Sequence, residues 1–160
     1  MFRLIAYGTL RPGCALHSNI QPIMEVYGGI VIPSITLLGI RMYVLGGAPA
    51  AVRSKNLNDE IVADIIECDL SPRMQYAWER ALERMEGYPH TGYYPDMVGT
   101  LRGKAMIYLY NKSIPKNAPR ITDWKVWERE FEAMTPEEQI KIMGKSARIT
   151  LVAAGGQDFG

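Results

Sequence analysis

The sequence predicts an α+β domain, a small mixed and barrel-like sheet with one main helix, followed by a helical C-terminal extension. Three observations carry this. Short apolar runs rich in Ile, Val, Leu and Tyr alternate with Gly- and Pro-punctuated turns as far as Tyr110. One strongly amphipathic segment, residues 71–87, comes late in that order, so the regular βαβ alternation of a parallel sheet is missing. After Asn111 the composition shifts to Lys, Pro and Asn and then to helical periodicity. The expected division is residues 1–112 for the core domain and 113–160 for the extension.

Phe2 to Tyr7 reads as a largely buried first strand. It runs into Gly8-Thr9-Leu10-Arg11-Pro12-Gly13, a loop able to present backbone N–H groups. Ile20, Ile23, Met24 and Tyr27 follow helical spacing over a short span. Gly28 to Pro33 and Ser34 to Leu45 read as two extended segments. Gly46-Gly47-Ala48-Pro49 is a turn and Ala50 to Arg53 a short strand. Ser54 to Asp59 is a polar loop before a strand from Glu60 to Asp69. Asp64 interrupts that strand, either as a buried polar partner or as a residue facing solvent, and solvent is the preferred reading.

Ser71-Pro72 supplies an N-cap and a first-turn proline. Met74, Ala77, Trp78, Ala81, Leu82 and Met85 then recur at the spacing of an amphipathic helix, which Gly87 ends. Tyr88 to Gly92 is a loop, Tyr93 to Val98 a strand, Leu101-Arg102-Gly103 a turn, and Lys104 to Tyr110 another strand. Lys112 to Pro119 is a connector. Asp123 to Met134 and Pro136 to Met143 read as two helices, with Trp124, Trp127 and Phe131 on one core-facing stripe. Ala153 to Gly160 is expected to fray.

The chain has 160 residues and a formal net charge of +1, with 48% hydrophobic and 22% charged residues. That is the balance of an ordered globular protein and gives no electrostatic footprint for nucleic acid. Cys14 and Cys68 are too few for a disulfide framework, which favours a reducing compartment. A zinc site built on Cys14 and His17 would consume Cys68 and His90 as well, and none is expected. The apolar start is too short for a signal peptide. The longest apolar run, Tyr27 to Ile40, is broken by Gly28-Gly29, Pro33 and Gly39, so no membrane span is expected and a cytoplasmic location is the default.

No Gly-x-Gly-x-x-Gly, P-loop or Gly-x-Ser-x-Gly occurs. Glu86 stands out instead. It lies beside Leu82 at the edge of the helix's apolar stripe and in the last turn, before Gly87. Partial burial and the negative end of the helix dipole both push such a carboxyl upward, as a general acid/base requires.

Tyr7-Gly8-Thr9-Leu10-Arg11-Pro12-Gly13 together with Met85-Glu86-Gly87-Tyr88-Pro89 resembles the γ-glutamylcyclotransferase-like family, which includes γ-glutamylamine cyclotransferase-like members. Gly39-Ile40-Arg41-Met42-Tyr43-Val44-Leu45-Gly46-Gly47-Ala48-Pro49-Ala50 is similar to a strand and turn of that family. So are Val62 to Cys68, Gly92-Tyr93-Tyr94 and Ala105 to Tyr110 to three of its strands. The resemblance spans about residues 2–112. It implies a small barrel-like α+β fold and release of 5-oxoproline from a γ-glutamyl compound, without metal or organic cofactor. By this resemblance Glu86 is the general acid/base, and the backbone N–H groups of Gly8, Thr9 and Leu10 hold the substrate's carboxylate. Tyr7 and Tyr88 are further candidates for lining the pocket.

Two departures bear on the substrate. Tyr94 is followed by Pro95 and Asp96 where the family often carries a basic residue, and Ala63-Asp64 stands where Gly-Glu is common. The expected partner is a small γ-glutamyl molecule, either an amine or an amino acid derivative. A larger γ-glutamyl adduct stays open. The extension could cover the sheet, form a homodimer or add a partner site. The alternative function is a non-catalytic binding protein that keeps the cavity and docks through the C-terminal helices, with Trp124 and Trp127 as its surface.

Overall fold

A computed structural model describes residues 1–14 and 16–143. Its eight strands are β1 (Phe2–Ala6), β2 (Ile30–Leu38), β3 (Ile40–Leu45), β4 (Ala48–Arg53), β5 (Glu60–Cys68), β6 (Tyr93–Thr100), β7 (Gly103–Tyr110) and β8 (Arg120–Ile121). The helices are α1 (Gln21–Val26), α2 (Pro72–Glu86), α3 (Trp124–Glu132) and α4 (Pro136–Met143). Five strands form one sheet in the order β2-β5-β1-β7-β6, with β1 and β7 parallel and the other neighbours antiparallel. The second sheet, β4-β3-β8, is antiparallel. This is the mixed α+β architecture the sequence predicts.

Side-chain alternation gives the large sheet two apolar faces, one under α2 and the other toward the small sheet and α3. Ile5 and Tyr7 of the first strand region, Ile61, Ala63 and Ile65 of β5, and Ala105, Ile107 and Leu109 of β7 pack with Met42, Val44 and Ala51 of the small sheet. The intervening Phe2, Leu4, Ala6, Ile66, Met106 and Tyr108 pack beneath Trp78 and Leu82 of α2. Two cores therefore share one sheet.

Local chemistry sets the helix ends. The Ser71 hydroxyl accepts the Met74 N–H at 3.2 Å, and Gly87 closes α2 in the left-handed region at φ 70°. Asp123 caps α3 by accepting from Lys125 N–H at 2.9 Å. Thr135 and Glu138 form a reciprocal capping box at the start of α4.

The sequence boundaries differ in one informative place. Pro33 and Ser34 do not separate two strands but sit in a bulge within β2, where the register to β5 shifts between Ile32 and Ile35. Proline has no N–H to give the ladder, and the Ser34 N–H donates instead to Asp64 Oδ1 at 2.9 Å. The real break is Gly39, at φ 73°, where the chain leaves the large sheet for the small one. The two-residue strand β8 falls between the connector read to Pro119 and the helix read from Asp123, and pairs with Met42 and Tyr43. Trp124 and Phe131 are buried and Trp127 packs half-buried beside them, as the α3 stripe predicts. The expected fraying end, Ala153 to Gly160, lies outside the described residues. Among the described residues no helix is long and apolar enough to cross a membrane.

Candidate active site

The end of β1 is where backbone polarity turns toward a cavity. After Ala6 the chain leaves the ladder and folds on itself. Arg11 N–H donates to Gly8 O at 3.0 Å, Leu16 N–H to Thr9 O at 2.8 Å, and Cys14 N–H to Arg11 O at 2.9 Å. The Leu10 carbonyl accepts from His17 Nδ1 at 2.9 Å, which fixes the Nδ1–H tautomer. Four successive carbonyls are thus spent inside the loop. The amides of Gly8, Thr9 and Leu10 donate to no acceptor among the described residues.

Those three residues line a cavity of about 220 Å³ together with Tyr7, Pro49, Met85, Glu86, Thr91, Tyr93 and Tyr108, among others. Among the described residues Glu86 is the only carboxyl in the lining, and no Lys, Arg or His joins it. The sequence-predicted Tyr7, Gly8, Thr9, Leu10 and Glu86 therefore meet at one place. Tyr88 does not line the cavity and is 41% exposed.

Glu86 comes from the last residue of α2, whose apolar stripe presses Leu82 and Trp78 onto the sheet. This carries the adjoining carboxyl inward. Burial pushes it up to about 7, while partial exposure leaves it open to the cavity. The Thr91 hydroxyl donates to the Glu86 carbonyl at 2.6 Å and folds the following loop back over the helix end.

Three phenols surround this carboxyl, and burial is the first cause holding each of them un-ionised. Tyr7 is raised further by Tyr93 and then Glu86, Tyr93 by Glu86, and Tyr108 by Glu83 and then Glu86. The Tyr7 hydroxyl donates to the Tyr108 carbonyl and the Tyr93 hydroxyl to the Pro49 carbonyl at 2.6 Å. The Tyr108 hydroxyl is buried without a partner among the described residues. Tyr93, Tyr108 and Pro49 were legible in the sequence only as strand and turn residues.

Asp64 corrects an expectation. It does not face solvent but is 1% exposed, because Arg11, itself 2% exposed, reaches it from the first loop. Arg11 Nε and Nη2 donate to the two Asp64 carboxylate oxygens at 3.1 and 3.3 Å. Trp124, named as a docking residue, is likewise buried at 3% exposure, with its indole N–H on Glu128 at 2.9 Å. Membership of the core shared with the small sheet removes it from the surface.

A larger cleft of about 840 Å³ lies between the two edge strands β2 and β6. Its charged lining residues, Arg53 and Arg102, are already paired with Asp96 and Glu67. Among the described residues it holds no free acid or base for chemistry. Among the described residues no three His, Cys, Asp or Glu side chains gather as metal ligands.

No protein-family model and no curated protein matches this chain. Solved structures do. An uncharacterized protein from Pyrococcus horikoshii is similar at 25% identity and a TM-score of 0.62, over 82% of this chain and 97% of the other. An AIG2-like protein from Mus musculus matches at 16% identity and a TM-score of 0.55, over 78% and 88%. The allophanate hydrolase of Kluyveromyces lactis matches at 12% identity and a TM-score of 0.59, over 81% of this chain and 21% of that one. The chain has the fold of the AIG2-like protein, as the motif resemblance implies.

Proposed function

From this fold and the carboxyl at its cavity, we propose that the protein is a γ-glutamylcyclotransferase-type enzyme releasing 5-oxoproline from a γ-glutamyl compound. The observation that supports it is the meeting of Glu86 with the unpartnered amides of Gly8, Thr9 and Leu10 on one cavity. A concave run of N–H donors suits a carboxylate, and glycine lets the backbone come close. A carboxyl near pH 7 suits proton transfer in both directions.

In this reading the amides of the first loop hold the substrate's α-carboxylate. Ionised Glu86 takes a proton from the α-ammonium group, freeing the nitrogen lone pair. That nitrogen attacks the γ-carbonyl carbon, and a five-membered lactam closes as the old γ-amide C–N bond breaks. Protonated Glu86 then gives that proton to the leaving nitrogen, and the second proton lost by the attacking nitrogen passes through the regenerated carboxylate to the expelled amine, which departs as an ammonium, so no cofactor takes part. Holding the chain curled makes the attack intramolecular, which is itself a large part of the acceleration. Tyr7 lines the pocket.

The test is turnover of a panel of γ-glutamyl amines, amino acids and larger adducts, read as 5-oxoproline by mass spectrometry. Glu86→Gln is expected to lower turnover by about 100-fold or more, since an amide cannot carry the proton. Equal turnover by the two proteins would remove Glu86 from the mechanism.

A further inference from the structure

The amides proposed to hold the carboxylate sit on a loop, and loops position atoms well only where something fixes them. Here the fixing group is one buried guanidinium. Arg11 Nε and Nη2 fork onto Asp64 of β5, while Nη1 donates to Asp123 Oδ1 at 2.8 Å. The same Asp123 oxygen caps α3 through Lys125 N–H, and Lys125 Nζ approaches Asp64 at 3.9 Å. Two acids and two bases therefore close a local charge-balanced cluster. Asp64 also accepts the Ser34 N–H in the β2 bulge, which anchors the acid itself.

We propose that Arg11 is the positioning residue of the Gly8-Thr9-Leu10 loop, and that Asp123 at the start of α3 completes its grip. Asp123 lies beyond the stretch that resembles the known family, so this role belongs to the helical extension. The extension is then not an appendage to the site but the outer half of its clamp. A buried arginine serves this purpose better than packing could, because its planar fork sets direction as well as distance. Truncating one partner leaves the others buried and unpaired, so the loop has one favoured position.

This inference rests on the cyclotransferase reading for its kinetic consequence but not for its structural one. The decisive variant is Asp123→Asn, because asparagine caps a helix as well as aspartate while losing the charge that faces Arg11. Arg11→Lys is the second variant, keeping the charge without the fork. Both are measured in the full chain, by amide hydrogen exchange of Arg11, Cys14 and Leu16 and by turnover of a γ-glutamyl substrate.

The expected result is exchange at those loop amides faster by about tenfold or more, with the α2 amides unchanged. KM is expected to rise about tenfold while kcat stays within about twofold, since a carboxylate grip acts alike on ground and transition states. Unchanged loop exchange in both variants would overturn the proposal, as would a fall in kcat at constant KM. If the wild-type chain releases no 5-oxoproline from any substrate, the cyclotransferase reading fails. The exchange measurement then still decides the role of Arg11.

Discussion

Tyr93 donates its hydroxyl hydrogen to the Pro49 carbonyl at 2.6 Å, joining β6 of the large sheet to β4 of the small one at the cavity wall. Pro49 is also the residue against which Gly8 packs. The bond therefore reaches the first loop through one proline ring. Tyr93→Phe removes the donor and leaves the ring in place. It is expected to cost about 1 kcal/mol in denaturant unfolding. It is also expected to raise KM about threefold to tenfold without changing which substrates are used.

Glu86 gives a prediction in which activity and stability move in opposite directions with pH. Burial raises its carboxyl from 4.5 to about 7. A base must be ionised to act, so kcat/KM is expected to climb as pH rises through about 7. Stability goes the other way. Below about pH 4 the carboxyl is protonated in both folded and unfolded chains and makes no difference. Between there and about 7 the unfolded chain ionises while the folded chain keeps its proton, so the folded state loses ground steadily as pH rises. Glutamine mimics the protonated acid and escapes that loss. Glu86→Gln is therefore expected to match wild type in thermal unfolding near pH 4 and to exceed it by about 3 kcal/mol at pH 8. Equal melting of the two proteins across that range would deny that the carboxyl is buried.

What the sequence made legible was whatever its own neighbours dictate. Ser71-Pro72 and Gly87 bracket α2 because caps act within a turn, and the helical wheel alone set Glu86 at the edge of the buried stripe. Asp64 was misread because its partner stands 53 residues away in sequence. Nothing in the alternation of β5 distinguishes an acid meeting water from one meeting a guanidinium. The β2 bulge failed for a linked reason, since the Ser34 N–H is satisfied by that same distant carboxylate. Strand β8 is only two residues long and exists because Met42 and Tyr43 are there to pair with it. In the site, Tyr93 and Tyr108 stand in stretches that resemble family strands, but nothing in those stretches marks them as cavity residues.

Gly8 is required by space rather than by a left-handed backbone. A Cβ there would lie 2.2 Å from Pro49 Cγ and 3.1 Å from its Cβ, far inside contact distance. A proline ring cannot rotate away as a flexible side chain could, and the Tyr93 bond holds the carbonyl of the same residue. Gly8→Ala must then displace either the loop or β4. It is expected to destabilise the protein by about 1–3 kcal/mol, the usual cost of overpacking. Because the loop amides move with it, turnover should fall more than stability explains. The double variant Gly8→Ala/Tyr93→Phe separates the two routes of strain. If Tyr93 is what keeps Pro49 against Gly8, releasing it lets the ring retreat. The double variant should then be more stable than the sum of the single losses by about 0.5 kcal/mol or more. Strict additivity in denaturant unfolding would mean that Pro49 is held by the β3–β4 ladder alone.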